Sequence, residues 1–191
     1  MTKARDIANA GTALTSVDAT ELGYVNGVTS AIQTQIDAKL ATSTASSTYA
    51  PLSSPTITTP VLIAPEERMT VSATAATGTI NFDASTQGVL YYTSNSSANW
   101  TLNVRGTSGA TLNSVLAIGD AITVAFLATN NATPYRHTAL TIDGSAQTVK
   151  WSGGTAPAAG NASAIDAYSF TIIKTASATY TVLGAGPIKY A

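Results

Sequence analysis

The sequence predicts a mainly β protein. Its C-terminal part reads as an antiparallel β-sandwich or jelly-roll-like domain, preceded by a short helical segment and an extended Pro-rich connector. Two observations carry the β assignment. From Met69 onward apolar and polar residues alternate with a period of two in a series of short segments, as half-buried strands require. Those segments are rich in Val, Ile, Thr and aromatics and are bounded by Gly, Asn, Asp, Ser or Pro, with no convincing helical period between them. The connector is predicted by a third observation, the absence of any charged side chain between Leu40 and Glu66. The boundaries are 1–45 for an N-terminal arm and short helices, 46–65 for the connector and 66–191 for the β-domain.

Residues 1–15 are small and polar without a period and read as an arm. In SVDATELGYVNGVTSAIQTQIDAKL, Asp18 and Glu21 stand at capping-box spacing and start a short helix, which Asn26-Gly27 stops. Thr29 or Ser30 caps a second helix running to about Leu40. Ile32, Ile36 and Leu40 follow one another at i, i+4, and Val25 and Val28 extend the stripe. A helix this short is marginal alone, so the stripe needs a partner. It packs either on its own domain or against copies of itself, and β-branched Ile along a narrow seam favours three strands over two.

The connector holds Pro51, Pro55, Pro60 and Pro65 among the chain's seven prolines. Proline fixes φ and removes a donor, so an extended chain stays stiff without pairing indefinitely at its edges. The β-domain follows as MTVSA (69–73), TINFDA (79–84), GVLYYT (88–93), WTLNVRG (100–106), DAITVAFLAT (120–129), TALTID (138–143), QTVKWS (147–152), AYSFTIIKT (167–175) and ATYTVLG (178–184). The clearest hairpins turn at Asp143-Gly144 and within SFTIIKTASATYTVLG. In AITVAFLAT one face carries Ile122, Val124, Phe126 and Ala128; the other carries Thr123, Ala125, Leu127 and Thr129. Leu127 makes that second face partly apolar, which suits a strand flanked by neighbours or covered by another subunit.

Composition narrows the function. Charged residues are 10% of the 191-residue chain, well below the roughly 25% of typical soluble proteins. Nine basic residues against ten acidic, without a basic cluster, argue against nucleic acid as a partner. The chain has no cysteine, so disulfide and thiolate metal sites are ruled out. No run of about 18 apolar residues marks a membrane span, and the N-terminus lacks the apolar segment of a signal peptide. The sequons at Asn95, Asn99, Asn131 and Asn161 then read as chance in an Asn/Ser/Thr-rich chain.

Catalytic constellations are hard to find. His137 is the only histidine, so a multi-histidine metal site within one chain is excluded; beside Arg136 it reads as a surface loop residue. No G-x-S-x-G elbow accompanies it. The carboxylates that a glycosidase pair would draw on are Glu66, Glu67, Asp83, Asp120, Asp143 and Asp166, most of them at strand ends or turns where Asp is favoured for its conformation. SGGTAPAAGN (152–161) is glycine-rich but precedes no helix carrying Lys-Ser/Thr, so it reads as a loop. No cofactor or metal is expected. Tyr91, Tyr92, Trp100, Tyr135, Trp151, Tyr168, Phe170, Tyr180 and Tyr190 read as core or subunit interface, with sugar stacking as the alternative for any that face outward.

The chain resembles virion structural proteins of tailed bacteriophages, especially fibre and appendage proteins of marine phages and cyanophages. GTALTSVDATELGYVNGVTSAIQTQIDAKLA (11–41) is similar to a segment recurrent in such proteins, through Glu21, Leu22, Tyr24, Gly27, Val28, Thr29, Ser30, Ile32, Gln33, Thr34 and Gln35. YAPLSSPTITTP (49–60) is similar to a tail-fibre linker. WTLNVRG, ITVAFLATN, TIDGS, VKWSGGTAP and YSFTIIKTASATYTVLG look like a β-domain of marine phage structural proteins.

The resemblance implies a non-enzymatic virion protein, a short homotrimeric fibre attached through its N-terminus to tail, neck or capsid. Trimerisation would use Val25, Val28, Ile32, Ile36 and Leu40, and the connector would wind between three chains with Val61, Leu62 and Ile63 buried against its sisters. The implied partners are the chain itself and other virion proteins, without nucleic acid or membrane insertion. The alternatives are a capsid cement or decoration protein, and a receptor-binding tip that recognises host surface glycan.

Overall fold

A computed structural model describes residues 63–191 continuously, together with Lys3, Thr20, Tyr24, Ala31, Thr34 and Val61. The chain divides into two compact units, Met1–Ile63 and Ala64–Ala191. Every described strand lies in the second: β1 (Met69–Ala75), β2 (Gly78–Asp83), β3 (Val89–Asn95), β4 (Trp100–Arg105), β5 (Ala121–Thr129), β6 (His137–Ile142), β7 (Ser145–Gln147), β8 (Val149–Trp151), β9 (Ile165–Ala176) and β10 (Thr179–Tyr190). One short helix, α1 (Leu112–Val115), sits between β4 and β5. The unit is mainly β, as expected, and forms a larger sheet ordered β1-β3-β5-β9-β10-β8 and a smaller one ordered β2-β4-β6-β7.

The expectation of an antiparallel sheet is corrected. β1, β3 and β5 run parallel in the larger sheet, as do β2, β4 and β6 in the smaller, and β8 runs parallel to β10. Only β5/β9, β9/β10 and β6/β7 are antiparallel among the described strands. The reason lies in the route of the chain. Successive strands from β1 to β6 alternate between the two sheets, so the chain winds as a coil and each strand meets the one laid down a turn earlier. The connections from β1 to β6 therefore join strands of different sheets instead of closing hairpins. The two predicted hairpins are present: Asp143 and Gly144 both take positive φ between β6 and β7, as a two-residue primed turn requires, and β9 returns as β10.

The parallel register stacks like on like. In the smaller sheet Ile80, Leu102 and Leu140 form one inward row, and Phe82, Val104 and Ile142 form another. The larger sheet presents Phe126, Tyr168, Phe170 and Ile172 against them, all buried. Trp100 of the smaller sheet touches both Phe126 and Tyr168 of the larger, with ring centroids 5.6 and 6.0 Å away. The sheets thus face each other across one core, and the buried face of β5 is Val124, Phe126 and Ala128, the side the alternation assigns.

The outward side of the smaller sheet is stitched by polar groups in the same register. Asn103 Nδ2 donates to Asn81 Oδ1 at 2.8 Å, while Asn103 Oδ1 accepts from Thr141 Oγ1 at 2.8 Å and from the Gly144 N–H at 2.9 Å. One row lower, Arg105 Nε meets Asp83 Oδ1 at 2.6 Å. Since Asn103 joins three elements, Asn103→Ala should cost about 1–2 kcal/mol of unfolding free energy, measured by urea denaturation. An unchanged midpoint would show that water replaces the ladder without loss.

Candidate functional site

The two outward faces differ in chemistry. The smaller sheet presents the Asn81–Asn103–Thr141 ladder and the Asp83–Arg105 pair. On the larger sheet Val71, Tyr91, Leu127, Ala167 and Ile188 stand side by side on five successive strands. Val71 is 58% exposed and Ile188 52%, whereas Tyr91, Leu127 and Ala167 are half-buried by their neighbours. A second row runs Met69, Val89, Ala125, Ser169 and Ala185, and a third runs Thr123, Thr171, Leu183 and Lys150. Lys150, on the edge strand β8, is the one charge in these three rows. The partly apolar second face expected from Leu127 therefore extends across the sheet. The sequence signal for it is the weak alternation of β3, β5 and β10, where apolar residues occupy both parities.

The buried polar groups brace loops. Asp166, fully buried at the start of β9, accepts from the Asn161 N–H at 2.9 Å, from Asn161 Nδ2 at 2.7 Å and from Asn130 Nδ2 at 3.0 Å. Gly160 lies so close to the Tyr135 carbonyl and the Asp166 carboxylate that a side chain there would collide with both. Asp143 accepts from the Leu112 and Asn113 N–H groups at the start of α1, and Lys174 Nζ donates to the Asn113 and Leu116 carbonyls at its end. Both helix ends are thus satisfied by side chains distant in sequence, one from the β6–β7 turn and one from β9. Four residues are too few to leave a periodic signal, which is why the sequence does not announce α1.

The six carboxylates considered for glycoside cleavage are dispersed among these duties. Asp83 pairs with Arg105, Asp120 accepts from the Ala117 N–H, Asp143 and Asp166 hold loops, and Glu66 and Glu67 are exposed ahead of β1. Among the described residues no group of three or more His, Asp or Glu is placed to hold a metal ion.

His137 departs from the sequence reading. It opens β6 and is 2% exposed, with its ring 5.0 Å from Phe170 and 5.8 Å from both Trp151 and Tyr168. A register irregularity between Trp100 and Thr101 turns it inward. Neither ring nitrogen meets a hydroxyl or carboxylate, and the Ala139 backbone is the one hydrogen-bonding group near enough to act on the ring, so no catalytic relay is assembled on it. Burial lowers its pKa to about 4, with Arg136 adding a repulsive contribution. It is a neutral member of an aromatic cluster at ordinary pH. Burial likewise pushes the phenol of Tyr168, whose oxygen accepts from the His137 N–H, well above the usual range.

Of the other aromatics, Trp100 and Phe170 are core, Tyr92, Trp151, Tyr135 and Tyr180 pack against it, Tyr91 lies half-buried on the outward face and Tyr190 is exposed. An open groove of about 460 Å³ lies between Asn103, Arg105, Thr107, Thr111 and Asp143, and none of the aromatics lines it. Val25, Val28, Ile32, Ile36, Leu40 and Leu62 lie outside the described residues. Val61 and Ile63 are described and are 88% and 90% exposed in the single chain. No helix among the described residues is long and apolar enough to cross a membrane.

Comparison with protein-family models, curated proteins and solved structures finds no match to this chain.

Proposed function

We propose that the chain is a non-enzymatic structural protein of a tailed-phage virion: a short homotrimeric fibre or appendage anchored to tail, neck or capsid through residues 1–45. In this reading the helical segment trimerises through Val25, Val28, Ile32, Ile36 and Leu40. The Pro-rich connector of 46–65 leads to the β unit, with Val61, Leu62 and Ile63 against sister chains. The observation that carries it is the succession in one chain of the three segments that resemble fibre proteins: helical stripe, charge-free connector and β-domain. The β unit adds support, because its buried polar residues brace loops and its larger sheet leaves an apolar outward face.

Ile32→Asp combined with Ile36→Asp is expected to reduce the solution mass from trimer to monomer, while the far-UV circular dichroism of the β unit persists. A trimer that survives the double substitution with unchanged mass would sink the helical seam. The glycan-binding alternative is favoured by the groove beside Arg105, whose polar lining suits sugar hydroxyls. Binding of surface polysaccharide that is lost in Arg105→Ala would move that reading ahead.

A further inference from the structure

We propose that the outward face of the larger sheet is the surface through which copies of this chain pack together in the β unit, an inference that rests on the homotrimeric reading above. The argument starts from the contrast between the two outward faces. The smaller sheet satisfies its outward polar groups within the chain, through the asparagine ladder and the Asp83–Arg105 pair, and is finished as a surface for water. The larger sheet carries the row Val71, Tyr91, Leu127, Ala167 and Ile188 from one strand to the next without a polar interruption. Flanking rows contribute Met69, 49% exposed, and Leu183, 43% exposed. In a chain that is only 10% charged, the outward residues of the smaller sheet are polar and paired, whereas the larger sheet has an unbroken apolar row whose polar neighbours, Ser169 and the Thr123–Thr171 pair at 3.1 Å, are uncharged.

Size and charge point to a second copy as the occupant. Strands about 4.8 Å apart with a rise of about 3.3 Å per residue give a face of about 29 by 17 Å, on the order of 500 Å² in projection and more with side-chain relief. That approaches the roughly 800 Å² per partner of a specific protein interface. A face without alternating charge offers nothing to discriminate a foreign partner and creates no repulsion against its own copy, whereas self-association surfaces are the apolar ones. The lone Lys150 sits on the edge strand β8, where it can stay in water beside the contact.

The chain has no cysteine, so single thiols report each face cleanly. In the full-length chain Thr123→Cys and, separately, Leu183→Cys place a thiol on the outward face of the larger sheet, and Thr79→Cys places one on the exposed outward side of the smaller sheet. Maleimide labelling of the first two is expected to be at least about tenfold slower than of Thr79→Cys, since access then requires the interface to open. Mild oxidation is expected to link chains through Leu183→Cys or Thr123→Cys and not through Thr79→Cys. Equal labelling rates would overturn the proposal. So would protection without any inter-chain link, which would mean that something other than a second copy covers the face. The solution mass of the same samples separates the two readings. A trimer with equal labelling removes this face as the contact and keeps the homotrimer, whereas a monomer removes both.

Discussion

Trp100→Ala should lower the unfolding free energy of the β unit by about 3–5 kcal/mol, the cost of removing a large buried aromatic that the surroundings cannot replace. Trp100 begins β4 and is 1% exposed. Its ring touches Phe126 and Tyr168 of the opposite sheet, so truncation opens a cavity at the junction of the two layers instead of within one. Its indole N–H has no partner, so the loss is packing and not a hydrogen bond. The check is chemical denaturation followed by tyrosine fluorescence or circular dichroism. A loss below about 1 kcal/mol would mean that the sheets do not depend on this contact.

The second large effect concerns acid. His137 is neutral in the folded unit, with its pKa lowered from 6.5 to about 4, chiefly by burial among Trp151, Tyr168 and Phe170. As pH falls through 6.5 the unfolded chain takes up a proton that the folded unit refuses, so the unfolded state gains. The stabilisation is complete above pH 6.5, declines toward pH 4 and falls no further below it on account of this group. The window is worth about 3 kcal/mol. His137→Leu, of similar volume and without the unpaired nitrogens, is expected to fold at least as stably at neutral pH and to lose most of this pH dependence. Urea midpoints of both proteins at about pH 7, 5.5 and 4 test it, and parallel declines in the two would assign the acid sensitivity elsewhere.

Much of the β unit is legible in the sequence because strands announce themselves locally. The period of two places all nine candidate segments on observed strands, and Asp143-Gly144 specifies its turn through the positive φ that both residues adopt. Partner choice is not legible, because alternation says which side of a strand is buried and not which strand lies beside it. The two residues Ala76 and Thr77 would look the same in a hairpin as in a crossing between sheets; here they carry the chain from β1 in the larger sheet to β2 in the smaller. QTVKWS illustrates the same limit. It reads as one strand, yet Gln147 ends β7 in the smaller sheet and Val149–Trp151 is β8 in the larger. His137 reads wrongly as a loop residue because it stands beside Arg136 and just ahead of the TALTID strand, whereas a local register shift turns its ring inward. The apolar outward face shows in the sequence only strand by strand, at Leu127 and in the weak alternation of β3 and β10, since the row itself is assembled from strands far apart along the chain.

Light-scattering mass of the 191-residue chain tests whether it forms the proposed homotrimer. Three times the 19.4 kDa chain mass is expected, independent of concentration over a tenfold dilution series. A mass equal to a single chain would contradict it, and would leave the helical stripe and the outward sheet face to be covered by another protein.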